Sequence, residues 1–475
     1  MVASIRRLYR RMKIFTRADT ELVKKTVAIF REEVVPERKR LILAAIFVPT
    51  QHFLYIVLTP LLIGFFAQSL IQHPQDTTTP LWLAGALALA GIGSIIFGRI
   101  GFINLFNHDE RMTSRLLERA MNDLLKHSHT FFANSKVGAL AGDANNFSRS
   151  YMMVMDSLFL QASPIVVSYV TSLIIVAIIA PIMLPILLLL TIMIVWNALY
   201  SFSLRAKYRN ERKELMSKLF GNTADVLGNQ TLVRMFGRST HEVSGLAKQR
   251  HTIEDLAAKE ILIAENGAGS RLAILFVFQI ATLLVCMYLV SHSLLSIAAL
   301  IFIITYLGRI TNSMYSINSV IRTLEQAFID SAKVTEIIYK TPEVRDIPHA
   351  SKLKVKDASI EFKDVEFSYE EAREQIVFKN LNLSIKSGQS VGLVGRSGGG
   401  KSTLTHLLLR YMDINKGHIL IDGQDIATVT QNSLRSVIAY VPQDPYLFHR
   451  SLRDNIAYGK PDATDAQIIA AARQA

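Results

Sequence analysis

The sequence predicts two joined parts. The first is a membrane α-helical part, with six transmembrane helices and long cytoplasmic extensions. The second is an α/β part built around a phosphate-binding loop. Three observations carry this. Only 19% of the 475 residues are charged, against about a quarter in soluble chains. That deficit is confined to the first 320 residues, where long charge-free runs come in three pairs. Beyond them Gly395-Arg396-Ser397-Gly398-Gly399-Gly400-Lys401-Ser402 fits the pattern G-x-x-x-x-G-K-[ST].

Length and composition set the outer bounds. A chain of 475 residues is long enough for two or more domains. The formal charge of +13 invites a nucleic-acid reading. Much of it, however, sits in the segments between apolar pairs, so it is a topology signal and no nucleic-acid partner is expected. The only cysteine is Cys286, so no intramolecular disulfide can form. No cleavable signal peptide is expected, because the first apolar run, from Leu41, is too long for one.

The runs define the spans. From Leu41 to Phe97 the only charge is Asp76, inside the proline-bounded polar turn Gln72–Pro80. From Ser150 to Leu204 it is Asp156, with Pro181 and Pro185 marking a turn. From Leu272 to Gly308 there is none, and Ser291-His292-Ser293 splits the run. The expected spans are 41–70, 81–106, 150–180, 182–204, 271–291 and 294–320, each near or above the ~20 residues that a bilayer needs.

The three turns within pairs lack Lys and Arg, whereas the connections between pairs are rich in them. One connection holds Arg111, Arg115, Arg119 and Lys126, and the other Arg205, Lys207, Arg209, Arg212 and Lys213. Arg6, Arg7, Arg10, Arg11 and Lys13 precede the first span. These segments are expected in the cytoplasm, and an even span count puts both termini there, with access to ATP.

The connections read as helical stalks. Leu105, Met112, Leu116, Ala120 and Leu124 step by three, four or seven, as on one helix face. Stalk turns are expected at Phe131–Gly138 and Gly221–Gly228. Within the spans, Gln51, His52, Gln161, Asn197 and Gln279 serve either a transport path or interhelical hydrogen bonds. They do not form the acidic or histidine relay that a proton pump needs.

The second part has a different period. Residues 341–356, with two prolines and mixed charge, read as a linker between a membrane domain (1–340) and an α/β domain (357–475). Ile360, Phe362, Val365 and Phe367 alternate with polar residues, as do Leu381, Leu383 and Ile385. Ile419-Leu420-Ile421 runs into the turn Asp422-Gly423. Ser390–Val394 and Val437–Val441 read as further strands. In the phosphate loop, glycines let backbone N–H groups crowd round phosphate. Lys401 can reach the β/γ-phosphates of ATP, and the Ser402 hydroxyl can ligate Mg²⁺. A helix from Thr403 would add its dipole.

With these motifs in place, the chain resembles a half-size ABC exporter: six membrane helices fused to an ATP-binding cassette. The resemblance rests on Phe367-Ser368-Tyr369, Gly395–Ser402, Ile421-Asp422-Gly423, Val441-Pro442-Gln443-Asp444 and Asp454–Gly459, in that order. It implies ATP and Mg²⁺ as cofactors, bound by Gly395, Arg396, Ser397, Gly398, Gly399, Gly400, Lys401, Ser402 and Thr403. Tyr369 would stack on adenine. Gln443 would touch Mg²⁺ and the attacking water. The stalk turns would be the coupling helices that press on the cassette.

The resemblance also implies a dimer with a second half-transporter, homo- or heterodimeric. It implies contact with membrane lipid, an amphiphilic substrate (lipid, drug or peptide) and a multi-pass location in a bacterial inner membrane. The sequence departs from the family beyond Gln443. Up to Ala475 it shows no LSGGQ-type signature, no Asp-Glu strand and no switch histidine. The expectation is therefore a truncated cassette that supplies phosphate clamping but not a catalytic base, which leaves open whether this chain is an enzyme. Three readings stand: an exporter subunit, a non-hydrolysing subunit beside a complete cassette, and a nucleotide-gated channel or scaffold.

Overall fold

A computed structural model describes residues 17–475, apart from 73, 134, 136, 180, 296, 370–375, 397 and 444–446. The basic segment from Arg6 to Lys13 lies outside the described residues, as do Ser397 and Asp444. The chain divides into two compact units. One is Met1–Leu125 with Val137–Lys340, and the other is Lys126–Lys136 with Thr341–Ala475.

The first unit is helical throughout. Helix α1 (Arg17–Val34) leads through a 3-10 turn, Val35–Glu37, into α2 (Arg38–His52). A π-helical stretch, Phe53–Leu58, joins α2 to α3 (Thr59–Gln72). The same device recurs at Ser157–Ala162, between two helices whose ranges follow. Each π stretch is followed by a proline one residue into the next helix, Pro60 and Pro164. Proline cannot donate the i→i−4 bond, so the ladder shifts register just before it.

Helix α4 spans Thr78–Leu124. The Asp76 carboxylate tightens its start by accepting from the amide and hydroxyl of Thr78 and from the Thr79 hydroxyl, at 2.9, 2.6 and 2.6 Å. After a short helix α5 (His129–Ala133), α6 (Val137–Asp156) continues through the second π stretch into α7 (Ser163–Ile179). A 3-10 turn at Pro181–Met183 opens α8 (Leu184–Gly228). Then come α9 (Gln230–Met235), α10 (Ser239–Ser291) and α11 (Ile297–Tyr339).

Five helical stretches among the described residues are long and apolar enough to cross a membrane. The sixth expected span falls in α11, which is 43 residues long. Helix α4 has 47 residues, about 70 Å at 1.5 Å per residue, more than twice a hydrocarbon core. The helices therefore run on as stalks, as the stripe from Leu105 to Leu124 predicts.

The second stalk turn is not where its glycines suggest. Gly221 and Gly228 are helical, and the chain reverses around Asn229–Arg238, where Gly237 has φ +61°. A glycine costs a helix about 1 kcal/mol but does not end it. A residue held at positive φ does.

Polar residues stitch the helices together. Asn197 donates to Ser270 Oγ at 2.9 Å and accepts from Arg271 at 3.3 Å, joining α8 to α10. His52 Nδ1 lies 3.2 Å from Ser163 Oγ. Gln51 donates to Ser94 at 3.4 Å. For these three the interhelical bond is the role observed. Glu33 and Glu37 on and just after α1 pair with Arg115 and Arg111 of α4 at 2.9 and 3.3 Å.

The second unit is built on a four-stranded antiparallel sheet of order β2-β1-β3-β4. The strands are β1 (Ile360–Ser368), β2 (Ile376–Ile385), β3 (Lys416–Ile421) and β4 (Gln424–Asp425). Inward residues Phe362, Val365, Phe367, Ile419 and Ile421 share a core with Leu404 and Leu407 of α12 (Lys401–Leu408). Gly417, at φ +89°, sits where β3 crosses a bulge in β1. A Cβ there would lie 2.4 Å from the carbonyl oxygens of Lys363 and Asp364.

Asp422 does more than turn the β3–β4 hairpin. Its carboxylate accepts from the amides of Lys356, Asp357, Ala358 and Ser359 at 2.7–3.2 Å. Those donors, Lys356 first, stabilise the carboxylate and hold its pKa well below the usual carboxylate range. Short helices α13 (Gln431–Ser436), α14 (Leu452–Ile456) and α15 (Asp465–Gln474) complete the described elements, α15 with a Thr464/Gln467 capping box.

Two expected strands are not formed. Residues 390–394 and 438–441 run without a sheet ladder. Among the described residues no strand pairs with them, and Val394 and Val441 are 96% and 91% exposed. An apolar segment becomes a strand only when a neighbour takes its backbone groups.

Candidate functional site: a phosphate loop beside a docked stalk turn

Gly395, Arg396, Gly398 and Gly399 are exposed, and half-buried Gly400 leads directly into α12. Gly400 is the residue before the helix and has φ +83°. A Cβ there would also press on Val377 and Phe378 at 3.0 Å. Gly398 has φ +80°. Gly399 donates its amide to Arg396 O at 3.0 Å, closing the loop on itself. This backbone turns into a helix start, whose first amides have no intrahelical acceptor and face outward as anion donors.

Lys401 lies across the loop, and its ammonium donates to Gly395 O and Arg396 O, both at 2.9 Å. The charge is thus held over the curve that the exposed amides line. Ser402 is exposed, one residue along. Thr403 is buried, and its Oγ1 lies 2.8 Å from Tyr369 Oη. That bond fixes the Tyr369 ring beside the start of α12, edge-on to Phe367 at 5.2 Å, with 38% of the residue exposed. The structure therefore brings together Tyr369, Gly395, Arg396, Gly398, Gly399, Gly400, Lys401, Ser402 and Thr403, while Ser397 is outside the described residues. Gln443 is exposed, and among the described residues no hydrogen bond links it to the loop.

The donor set suits a polyphosphate: an ammonium, a hydroxyl and a helix start with free amides. Among the described residues no group of three His, Cys, Asp or Glu gathers to hold a metal ion.

The end of α12 is equally ordered. Arg410 is buried at φ +50° and donates to Arg345 O, Ile426 O and Val429 O at 2.9–3.4 Å, tying the linker to the core. Arg435 caps the helix end through Leu409 O and Arg410 O, at 3.1 and 3.0 Å.

Tyr411 follows, and here Ser128 and His129 are packed. The His129 ring stacks on Tyr411 with centroids 5.0 Å apart and an 8° interplanar angle. His406 approaches the same pair at 5.7 and 5.6 Å. Ser128 donates its amide to Glu343 at 3.4 Å. A cavity of about 510 Å³ separates this segment from Tyr369, lined among others by Ser128, Thr130, Phe367, Tyr411 and Asn415. Sequence reasoning missed His129, His406 and Tyr411. Their positions are far apart in sequence, and no pattern links them.

Two family descriptions match the chain. "ABC transporter transmembrane region" covers residues 41–314, and "ABC transporter" covers 378–475. An ATM1-type heavy metal exporter of Novosphingobium aromaticivorans is 30% identical over 403 residues, 84% of this chain and 65% of that one. A putative multidrug export ATP-binding/permease protein, YgaD of Bacillus subtilis, is 27% identical over 454 residues, covering 92% and 76%. The mouse ATP-binding cassette sub-family B member 6 is 33% identical over 271 residues, of which this chain spans 32% of the length. A solved bacterial Atm1-family ABC exporter with ATP bound superposes with a TM-score of 0.77 at 28% identity, covering 92% of this chain and 76% of that one.

Proposed function

Because this chain belongs to the ABC transporter family, as an exporter of the half-transporter type, we propose that it powers export of an amphiphilic substrate by binding ATP at Gly395–Thr403. The observation that carries this is the docking of residues 126–136 beside the phosphate-loop helix. A segment leading out of membrane-length helix α4 packs, through His129, against Tyr411, three residues past the end of the helix Lys401 begins. A nucleotide-driven shift of α12 therefore has a mechanical route to α4 and α6.

The chain's residues take these roles. Lys401 exchanges its two loop carbonyls for phosphate oxygens. The amides of Gly398–Ser402 and the helix start hold the anion. Tyr369, steadied by Thr403, offers its ring to adenine. Ser402, with Gln443, would hold Mg²⁺, which would supply neutralisation of charge on the phosphates. The partner is a second half-transporter, identical or not. Its cassette completes the site.

The chain is an integral membrane protein, and five membrane-length helices with exporter relatives support that. Its Lys/Arg distribution supports both termini in the cytoplasm, and its bacterial relatives support a bacterial inner-membrane setting. The substrate is a lipid, drug or peptide: the spans carry few polar groups, and three of these are engaged between helices. The names of the relatives, heavy-metal and multidrug export, extend the class to conjugates that present an apolar face.

The test is equilibrium ATP binding by the full-length protein in nanodiscs, with and without Lys401→Ala. Loss of the ammonium removes charge-assisted bonds worth about 1.5–3 kcal/mol, so affinity should fall between about tenfold and a hundredfold. Unchanged affinity would refute the site.

A further inference from the structure

The stalk stripe on α4 contains two residues that do not belong in an apolar seam. His108 and Asp109 lie between Leu105 and Met112 and are 0% and 1% exposed. Across from them, α6 presents Tyr151, also 1% exposed, whose hydroxyl lies 2.7 Å from His108 Nε2. Phe30 of α1 closes the group from outside, edge-on to the Tyr151 ring at 5.3 Å. Both carboxylate oxygens of Asp109 are sealed from solvent and have no hydrogen-bond partner. The position is three residues past the expected end of the second span, so protein rather than lipid buries it.

An ionised Asp109 would be an uncompensated buried charge, which costs several kcal/mol. The charged neighbours make this worse. Asp156, at the end of α6, and Glu110, on α4 itself, both act on Asp109 as like charges. Glu37 and Arg40, from the turn and helix after α1, act on His108 instead, with opposite signs. The nearby cations are engaged elsewhere: Arg111 with Glu37 at 3.3 Å, Arg115 with Glu33 at 2.9 Å, and Lys333 of α11 with Asp143 at 2.9 Å. A metal cation does not fit either, since among the described residues no group of three His, Cys, Asp or Glu collects anywhere.

We propose that Asp109, flanked by Asp156, Tyr151 and His108, is a proton-binding site between the stalk helices. With α4 and α6 packed, the carboxyl is neutral. When they part, water enters, the O–H bond breaks, and the proton passes to water, leaving a solvated carboxylate. Repacking takes one proton back from water. Each cycle of stalk opening and closing is thus linked to release and uptake of one proton at this carboxyl. The proposal concerns a site in the first unit, uses no residue of the phosphate loop, and stands whether or not ATP binding there is upheld.

The linkage has a fixed sign. The packed stalk binds one proton more than the open one. Rising pH therefore favours opening, by up to about tenfold in the equilibrium per pH unit while the open form alone is ionised. The direct test is infrared spectroscopy of the full-length protein in nanodiscs, with aspartate carrying ¹³C in its carboxyl group. At neutral pH the wild type should show the carbonyl stretch of a protonated, unbonded carboxyl, moved by the label. Asp109→Asn should abolish it and flatten the pH dependence of stalk opening, followed by spin-label distances between α4 and α6, while Asp156→Asn should keep it. Absence of the labelled band from the wild type would overturn the proposal even if the variants failed to fold. Loss of the band in Asp156→Asn alone, or on adding sodium or calcium ions, would overturn it too.

Discussion

The His129 ring lies on the Tyr411 ring with 5.0 Å between centroids and 8° between planes, and this pair fastens the start of α5 to the turn that follows α12. Arg435 approaches Tyr411 at 5.3 Å and also caps the helix end, so the Tyr411 ring is held before His129 reaches it. The contact joins two segments more than 270 residues apart in sequence. The proposed phosphate site at the start of α12 and the docked stalk segment at Tyr411, three residues past its end, are thus joined by one short helix.

Removing this stack should uncouple rather than disable. An aromatic pair contributes about 0.5–1.5 kcal/mol beyond its buried area. Tyr411→Ala should leave ATP affinity within about twofold and reduce ATP-dependent flux by about fivefold or more. Equal loss in binding and flux would show that Tyr411 supports the site rather than the coupling.

The same contact should weaken in acid. Burial first, and then the neighbouring His129, hold His406 below its ordinary value of 6.5. The unfolded residue takes up its proton near that value, and the folded one only at lower pH. The folded form thus binds fewer protons, so His406 stabilises it above about 6.5 and loses that contribution as pH falls from there. Thermal midpoints between pH 7.5 and 5.5 should fall more steeply for the wild type than for His406→Gln. Parallel curves would remove His406 from the account.

Gly417 should tolerate no side chain. Its φ of +89° and a virtual Cβ 2.4 Å from two carbonyl oxygens leave backbone movement as the only relief. Gly417→Ala should destabilise the second unit by about 2–3 kcal/mol, read as a lowered midpoint in denaturant. A shift below about 0.5 kcal/mol would mean that the β1–β3 bulge is soft.

Topology is checked by labelling. In a Cys286→Ser background, Gln75→Cys should react with an impermeant thiol reagent applied outside intact cells, and Asn229→Cys should not. The turn around Asp76 lacks Lys and Arg, whereas the stalk connections carry many. Reaction at position 229 would invert the orientation.

The sequence made the membrane part legible because charge-free runs and Lys/Arg placement are cumulative signals that no single residue can spoil. It misplaced the second stalk turn because Gly221 and Gly228 look like breakers, while the residue at positive φ is Gly237. The strands at Ile360–Ser368 and Lys416–Ile421 announced themselves by period two. Residues 390–394 and 438–441 had the composition of strands, but pairing is a property of neighbours and cannot be read from one segment. Asp422 read as a turn residue, and the four amides that bind it, at 356–359, are non-local. The phosphate loop was legible because its chemistry is contiguous. His129–Tyr411 was invisible for the opposite reason. His108 and Asp109 stood on the very stripe that marked the stalk, and a polar pair inside an apolar period was the signal that could have found them.

The most direct measurement is flux of a fluorescent amphiphile into inverted vesicles carrying the protein together with a partner half-transporter whose cassette supplies the catalytic base. Mg·ATP should drive accumulation, a non-hydrolysable analogue should not, and Lys401→Ala should abolish it. Accumulation that persists without hydrolysable ATP, or that Lys401→Ala leaves intact, would contradict an ATP-driven exporter.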